Sequence, residues 1–360
     1  ALAAPWLLKP LWAPLVDRYW SGKLGRRRSW IIPLQTFMIL IMLASVSAAA
    51  SGAVKPLLAC IFLMNLCAAT QDIAVDGLAV DILKQEELGP GNAAQVAGYK
   101  MGMILGGGIL VWLAGRTGWG GLFLTMAAVA ALPLIFILRH READPGGPDV
   151  SARPKPSDFL HALAAALRSP GAIPFLVFLA TYKTGEAMID MMFKPFLVDC
   201  GFGAQQIGLW VGTWGMAASL LGSVFGGWLA TRLPIVQALF AAASLRLIPL
   251  VAELWLSTIS PTISQVAAVT VAEHFFGGML TTALFAYMMS RVDKRIGATH
   301  YTILAAIEVL GKSPGSWASG WLAEHFGYME LFSLGVVLSV LVLFLYFPLR
   351  RQNKLQQTEV

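Results

Sequence analysis

Charge is what this chain has least of. Only 13% of its 360 residues are Asp, Glu, Lys or Arg, while 57% are hydrophobic and the mean hydropathy is +0.68. Ordinary soluble domains carry about 25% charged residues. The shortage excludes a soluble globular fold and leaves a polytopic membrane protein, with room for many spans of about 20 residues. Cysteine is scarce as well. Cys60, Cys67 and Cys200 are odd in number and two of them share one apolar run, so the sequence holds neither a disulfide framework nor a metal-ligand spacing. Histidine occurs five times, and only His274 lies clearly within an apolar run. HExxH is missing, as are a GxSxG in the strand-to-helix context of a nucleophile elbow and any nucleophile–base set, which argues against a membrane-embedded acyltransferase or hydrolase; no cofactor is implied. The glycines of residues 98–108 (GYKMGMILGGG) have neither a preceding strand nor a following Lys-Ser/Thr, so they are not a phosphate loop. They read instead as sites of close helix packing.

What is present is a series of long apolar runs. Spans are expected near 30–50, 55–82, 92–114, 119–138, 171–197, 205–230, 234–256, 262–290, 297–321 and 328–348, preceded by the tail of another helix. About ten apolar residues precede Asp17, too few for a span and without the basic start of a signal peptide, so the chain is expected to begin inside a helix. The net charge of +6 raises the question of nucleic acid, but the basic residues sit in short loops and read as topology. Arg18, Lys23, Arg26, Arg27, Arg28, Lys84, Arg139, Arg141, Arg153, Lys155, Arg168, Arg232, Arg291, Lys294, Arg295, Arg350, Arg351 and Lys354 all fall on one side, against Lys55 and Arg116 on the other. The first side is therefore cytoplasmic, and the C-terminus with it. A Pro- and charge-rich connector, 139–170, divides a bundle at 1–138 from a second at 171–348, followed by a tail at 349–360. The end of the connector, FLHALAAALRS, has helical spacing and is either a surface helix or plain linker.

The informative charges lie inside the runs. A charge placed in a bilayer costs about 2.5–3.5 kcal/mol on insertion scales, so each should face protein, water or a cation. Residues 65–83 hold three: Asp72 and Asp76, four apart on one helical face, and Asp81 near the helix end. At 1.5 Å per residue Asp72 falls roughly 15 Å, Asp76 roughly 9 Å and Lys100 roughly 12 Å from the cytoplasmic end of its own helix. Asp76 and Lys100 are thus depth-matched, either as a gate or as a permanent ion pair. Lys183, Glu186 and Asp190 recur at i, i+3 and i+7 on one face, with Lys183 roughly 18 Å deep. Arg246 is also central, with Glu253 seven residues on, and two such cations suit an anionic solute. Glu308 and Lys312 form an i, i+4 pair, either functional or self-neutralised packing. Asp72, Glu186, Glu308 and His274 are the candidates to carry a proton, although a lone helical histidine also serves packing. In the loop after the first helix, Asp17, Arg18, Gly25, Arg26 and Arg27 form either a gating loop or a topological signal. Residues 226–232 (GGWLATR) partly repeat it, with Thr231 where the acidic residue would be.

The runs LLKPLWAPLVDR with GRRRSW, ATQDIAVDG, TYKTGEA with KPFLVDCGF, and ATHYTILAAIEVLGK together resemble the AmpG and acetyl-CoA transporter family of the major facilitator superfamily. GPGNAAQVAGYKMGMILGGG and HFFGGMLTTALF are similar to a subgroup that includes the RhtX/FptX siderophore importers. The resemblance implies an all-α membrane fold of two six-helix bundles, here without the N-terminal helix and part of the second. It implies proton-coupled import of a bulky polar or anionic solute, such as a siderophore or muropeptide, by alternating access in a bacterial inner membrane. Its partners would be that small-molecule solute, protons and the lipid bilayer, with no nucleic acid. Acetyl-CoA transport is the alternative solute reading, and a transporter-like sensor without flux is the alternative class.

Overall fold

The computed structural model describes residues 2, 4–52, 54–139 and 153–350; connector residues 140–152 and tail residues 351–360 lie outside the described residues. The described chain is helical, its only extended feature being an isolated bridge between Ser21 and Gly25. In order it forms α1 (Ala4–Leu8), α2 (Ala13–Arg18), α3 (Arg28–Ala50), α4 (Val54–Ile82), α5 (Leu88–Ile104), α6 (Leu110–Arg139), α7 (Pro156–Arg168), α8 (Ala172–Thr181), α9 (Thr184–Asp199), α10 (Ala204–Arg232), α11 (Ile235–Leu256), α12 (Ile263–Ser290), α13 (Gly297–Phe326) and α14 (Tyr328–Leu343). Among the described residues, eight helical stretches are long and apolar enough to cross a membrane, with α8 and α9 counted together as Ala172–Asp199 and α14 continuing to Arg350. α5 is shorter, and α13 carries His300, Glu308 and Lys312. An all-helical solution follows from lipid, which offers no partner to a free backbone N–H or C=O, so each span must satisfy its own.

Local chemistry sets the helix ends. α12 starts at a capping box: the Thr262 N–H donates to Gln265 Oε1 at 2.8 Å. α13 stops at Gly327, whose φ of +95° a side chain would resist. α7 confirms the helical spacing of the connector's end and seats Phe159 and Ala162 on Ile296. The stretch expected at 171–197 is found as Ala172–Asp199, broken at Tyr182 and Lys183 into α8 and α9. Helical structure runs on from α5 through a π-turn at Leu105–Ile109 into α6, and the non-helical backbone of Gly118 (φ +69°, ψ −177°) divides α6 between the spans expected at 92–114 and 119–138.

The chain forms two compact units, and the division falls inside α5, α7 and α13. The first comprises the described residues of Ala1–Leu83, Gly102–Ala165 and Val292–Ile303. In it α3 packs on α4 and α6, around a core of Ala13, Val16, Ile31, Ile73, Ala74 and Ala298. The second comprises the described residues of Lys84–Met101, Ala166–Arg291 and Leu304–Val360. There α12 packs on α10 and α11, and α9 and α11 pack on α14, around a core that includes Ile189, Phe193, Leu250, Val266 and Phe332. Close packing falls on only part of the glycines read as packing sites: Gly222, Gly226 and Gly227 pack as expected, and those of residues 98–107 do not. A Cβ at Gly98, Gly102, Gly106 or Gly107 would meet nothing within 4 Å, whereas one at Gly226 would lie 2.9 Å from Met279 Cα and one at Gly227 2.7 Å from the Gly89 carbonyl. Close approach in this unit is thus carried by α10, where small residues let helix backbones meet.

Candidate functional site

In the first unit the polar residues gather at the start of α13. Asp17, at the end of α2 and wholly buried, accepts from Arg26 Nη2 at 2.9 Å and Arg27 Nη1 at 2.8 Å. It also accepts from the Thr299 backbone N–H at 2.8 Å, the Thr299 hydroxyl at 2.7 Å and the Ala298 N–H at 3.4 Å. The first N–H groups of a helix have no intrahelical partner and carry the positive end of its dipole, so a carboxylate there is favoured twice. Arg27 Nε donates to Asp81 at 2.6 Å, and Arg26 also donates to the Arg295 carbonyl at 2.7 Å. Burial works against the Arg27 charge, but the facing carboxylates of Asp17 and Asp81 more than offset it, so its pKa is raised. The turn that brings these arginines in runs through Gly25, at φ +96°. Gly77 makes room for them, since a Cβ there would sit 2.7 Å from Arg27 Cζ and 2.8 Å from Ala298 Cβ. Of the expected gating residues, Asp17, Gly25, Arg26 and Arg27 therefore build one latch. Arg18 does not join it and donates to the Pro154 carbonyl at 3.1 Å.

Farther along α4, Asp72 pairs with Lys9 Nζ at 2.5 Å. Lys9 was not among the expected partners. It is the one charged residue of the apolar opening stretch before Asp17, a position whose depth no periodicity reveals. Asp76 is 4% exposed in the same helix.

The second unit holds a denser network, organised by Arg246 on α11. Its Nη2 lies 3.1 Å from Glu186, 3.6 Å from Asp190 and 2.5 Å from Glu273, and its Nη1 donates to the Glu273 carbonyl. Lys183 Nζ is 3.4 Å from Glu186. The break between α8 and α9 puts Lys183 at the N-cap of α9, with Glu186 in its first turn, where an acidic residue complements the helix dipole. His274 Nδ1 contacts both Glu273 and the Thr270 carbonyl. Its ring lies against Gly215, at the end of a π-turn (Gly208–Gly215) in α10. Turns of that kind recur at functional sites. Glu308 accepts from the Tyr182 hydroxyl at 2.9 Å and from Lys312 at 3.2 Å. Lys100 is 9% exposed and donates to the Ser219 hydroxyl.

The structure thus brings Lys183, Glu186, Asp190 and Arg246 together, joins His274 to them through Glu273, and gives Glu308 and Lys312 a shared place with Tyr182. Asp76 and Lys100 fall in different units. The expectation that two central cations stand ready for an anion is modified, because three carboxylates already lie within 4 Å of Arg246. Lys100, whose hydrogen bond is to a neutral hydroxyl, and Lys183, with a quarter of its side chain exposed, retain that capacity. The sequence holds no signal for Lys9 or Thr299; Asp81, Glu253 and Glu273 stand out in it only as a helix-end acid, the i+7 partner of Arg246 and the neighbour of His274, without a role.

Comparison with known proteins bears on what this network does. The sequence model of the Major Facilitator Superfamily matches residues 1–295 and 182–360. Anhydromuropeptide permease of Escherichia coli (strain K12) is 31% identical over 354 residues, 94% of this chain and 70% of that one. Putative transporter AmpG 4 of Rickettsia felis is 25% identical over 354 residues, 96% of this chain and 85% of that one. Among solved structures, a major facilitator superfamily transporter, FucP, in the outward conformation matches with a TM-score of 0.70 at 11% identity, covering 96% of this chain and 88% of that one. The human organic anion transporter MFSD10 matches with a TM-score of 0.67 at 17% identity, covering 96% and 82%. At such identities the structural likeness is one of fold.

Proposed function

This chain belongs to the major facilitator superfamily, and within it to the AmpG family, and from that premise we propose that it imports a bulky anionic solute by proton-coupled alternating access. It is a multi-pass membrane transporter and not an enzyme. An anhydromuropeptide is the leading solute, on the strength of the relative at 31% identity. The observation that carries the transport reading is the buried network around Arg246. A scaffold or anchor gains nothing by holding Lys183, Glu186, Asp190, Arg246 and Glu273 inside an apolar bundle, where each charge costs several kcal/mol to desolvate. A cycle that exchanges ion-pair partners does gain from them.

In this reading the halves at 1–138 and 171–348 rock about a midplane site, joined by a cytoplasmic connector, in a bacterial inner membrane with the C-terminus inside. Lys100, Lys183 and Lys312 receive the anionic groups of the solute. Asp72, Glu186, Glu308 and His274 are the groups among which the proton is exchanged, and Asp76 adds a further carboxylate to the pathway. The latch of Asp17, Arg26 and Arg27 on the start of α13 breaks and reforms once per cycle. The reading is tested by uptake of labelled anhydromuropeptide into proteoliposomes, with unlabelled muropeptide, ferric siderophore and acetyl-CoA as competitors. Competition by muropeptide alone is expected, together with a large loss of uptake in Lys183→Met. Competition by acetyl-CoA or siderophore and not by muropeptide would reassign the solute. Specific binding without flux of any of them would make the protein a sensor.

A further inference from the structure

Four carboxylates stand around two fixed cations in the second unit. Glu186, Asp190 and Glu273 lie within 4 Å of Arg246, and Lys183 adds to Glu186. The fourth, Glu253, one turn from the end of α11, has no exposed surface, and neither of its carboxyl oxygens has a hydrogen-bond partner. Arg246, seven residues earlier on the same helical face, has an unpartnered buried donor of its own, Nε. The charged groups acting on Glu253 are Arg246 from α11, Glu186 and Asp190 from α9 and Glu273 from α12. α10 and α14 contribute as charged residues only Arg232 and Glu330, each at a helix end. An ionised carboxylate with three acidic neighbours against one guanidinium, no hydrogen-bond donor and no exposed surface is costly in a protein interior; such a group is stable when it holds a proton.

We propose that Glu253 is a proton-holding site of the transport cycle, protonated in this arrangement and discharged when Arg246 turns from Glu273 to Glu253. On discharge the O–H bond of Glu253 breaks and the proton passes to water on whichever side is then open to the site. The carboxylate left behind is neutralised by the Arg246 guanidinium, whose free Nε supplies a donor. Glu273 keeps His274 as its partner, and a proton taken up by the imidazole balances the charge that Arg246 removes. The arrangement gives the cluster two settings that differ by one exchange of partners. The proposal rests on the proton-coupled reading above, and it adds to that reading a carboxyl group whose proton is readable without any solute.

The test is an infrared pH titration of the purified full chain, following the carboxylic-acid C=O stretch, alongside uptake of anhydromuropeptide by proteoliposomes. A protonated-carboxyl band is expected at neutral pH in the wild type and is lost in Glu253→Gln. The same variant, a fixed mimic of the protonated acid, is expected to lose accumulation driven by a proton gradient while keeping solute counterflow. Glu253→Leu serves as a second variant, since an apolar side chain suits a site with no polar partner, and it too should lack the band. The proposal is overturned by absence of the band in the wild type, by its persistence in both variants, or by gradient-driven accumulation at the wild-type level in Glu253→Gln. Absence of muropeptide uptake by the wild type contradicts the function reading instead, and the infrared band still decides on Glu253.

Discussion

Asp17 is the residue on which the first unit's polar chemistry converges, because it serves two arginines and the unpaired N–H groups of α13 at once. Replacing Asp17 by Asn keeps the shape but leaves buried guanidinium charge under-compensated, a change that typically costs about 3–5 kcal/mol. Thermal unfolding of the detergent-purified variant should show a marked fall in midpoint. Arg18→Gln removes a hydrogen bond to the Pro154 carbonyl and an exposed stacking over the Tyr19 ring, and should cost no more than about 1 kcal/mol. At the Lys9 and Asp72 pair a cycle is more informative than a single change. Lys9→Met strands the Asp72 carboxylate, and adding Asp72→Asn should recover stability, with a coupling on the order of 1–3 kcal/mol between the two positions. Strict additivity would mean that the pair contributes nothing.

Among the elements, what the sequence made legible was periodicity. Charges at i, i+3 and i+7 in α9 do share a face, and the apolar runs do become helices at nearly the expected bounds. What it hid were features decided by neighbours. The break between α8 and α9 falls in TYKTGEA, with no proline to mark it, where Thr184 donates its hydroxyl to the Gly311 carbonyl of α13. The glycines of residues 98–108 look like a packing stripe, yet Gly98, Gly102, Gly106 and Gly107 meet open space, and single sequence cannot tell a stripe from a π-turn. Asp81 was likewise set aside because helix-end acids are common, and only the fold places Arg27 beside it. The contrast among glycines is itself testable. Gly77→Ala must displace Arg27 or Ala298 and should destabilise by about 1–3 kcal/mol, as overpacking does. Gly102→Ala meets nothing and should be neutral or stabilising by up to about 1 kcal/mol. Parallel thermal unfolding of the two variants checks both.

For the whole molecule, the distribution of Lys and Arg supports the proposed orientation, and the buried network gives the reason to expect movement. Both units bury charge, and they do so differently. The first uses it to fasten a helix start, where a carboxylate meets fixed N–H donors and has little freedom. The second surrounds Arg246 with more acids than it can serve at once, an arrangement suited to a change of partners. Family membership makes the chain a transporter, while the proposed solute rests on a relative and on the cations left available, Lys100 and Lys183. The most direct measurement is therefore accumulation of labelled anhydromuropeptide in proteoliposomes carrying the full protein under an imposed inward proton gradient. The account predicts accumulation above the external concentration that collapses on adding a protonophore. Equilibration unaffected by the gradient, or no uptake at all, would contradict it.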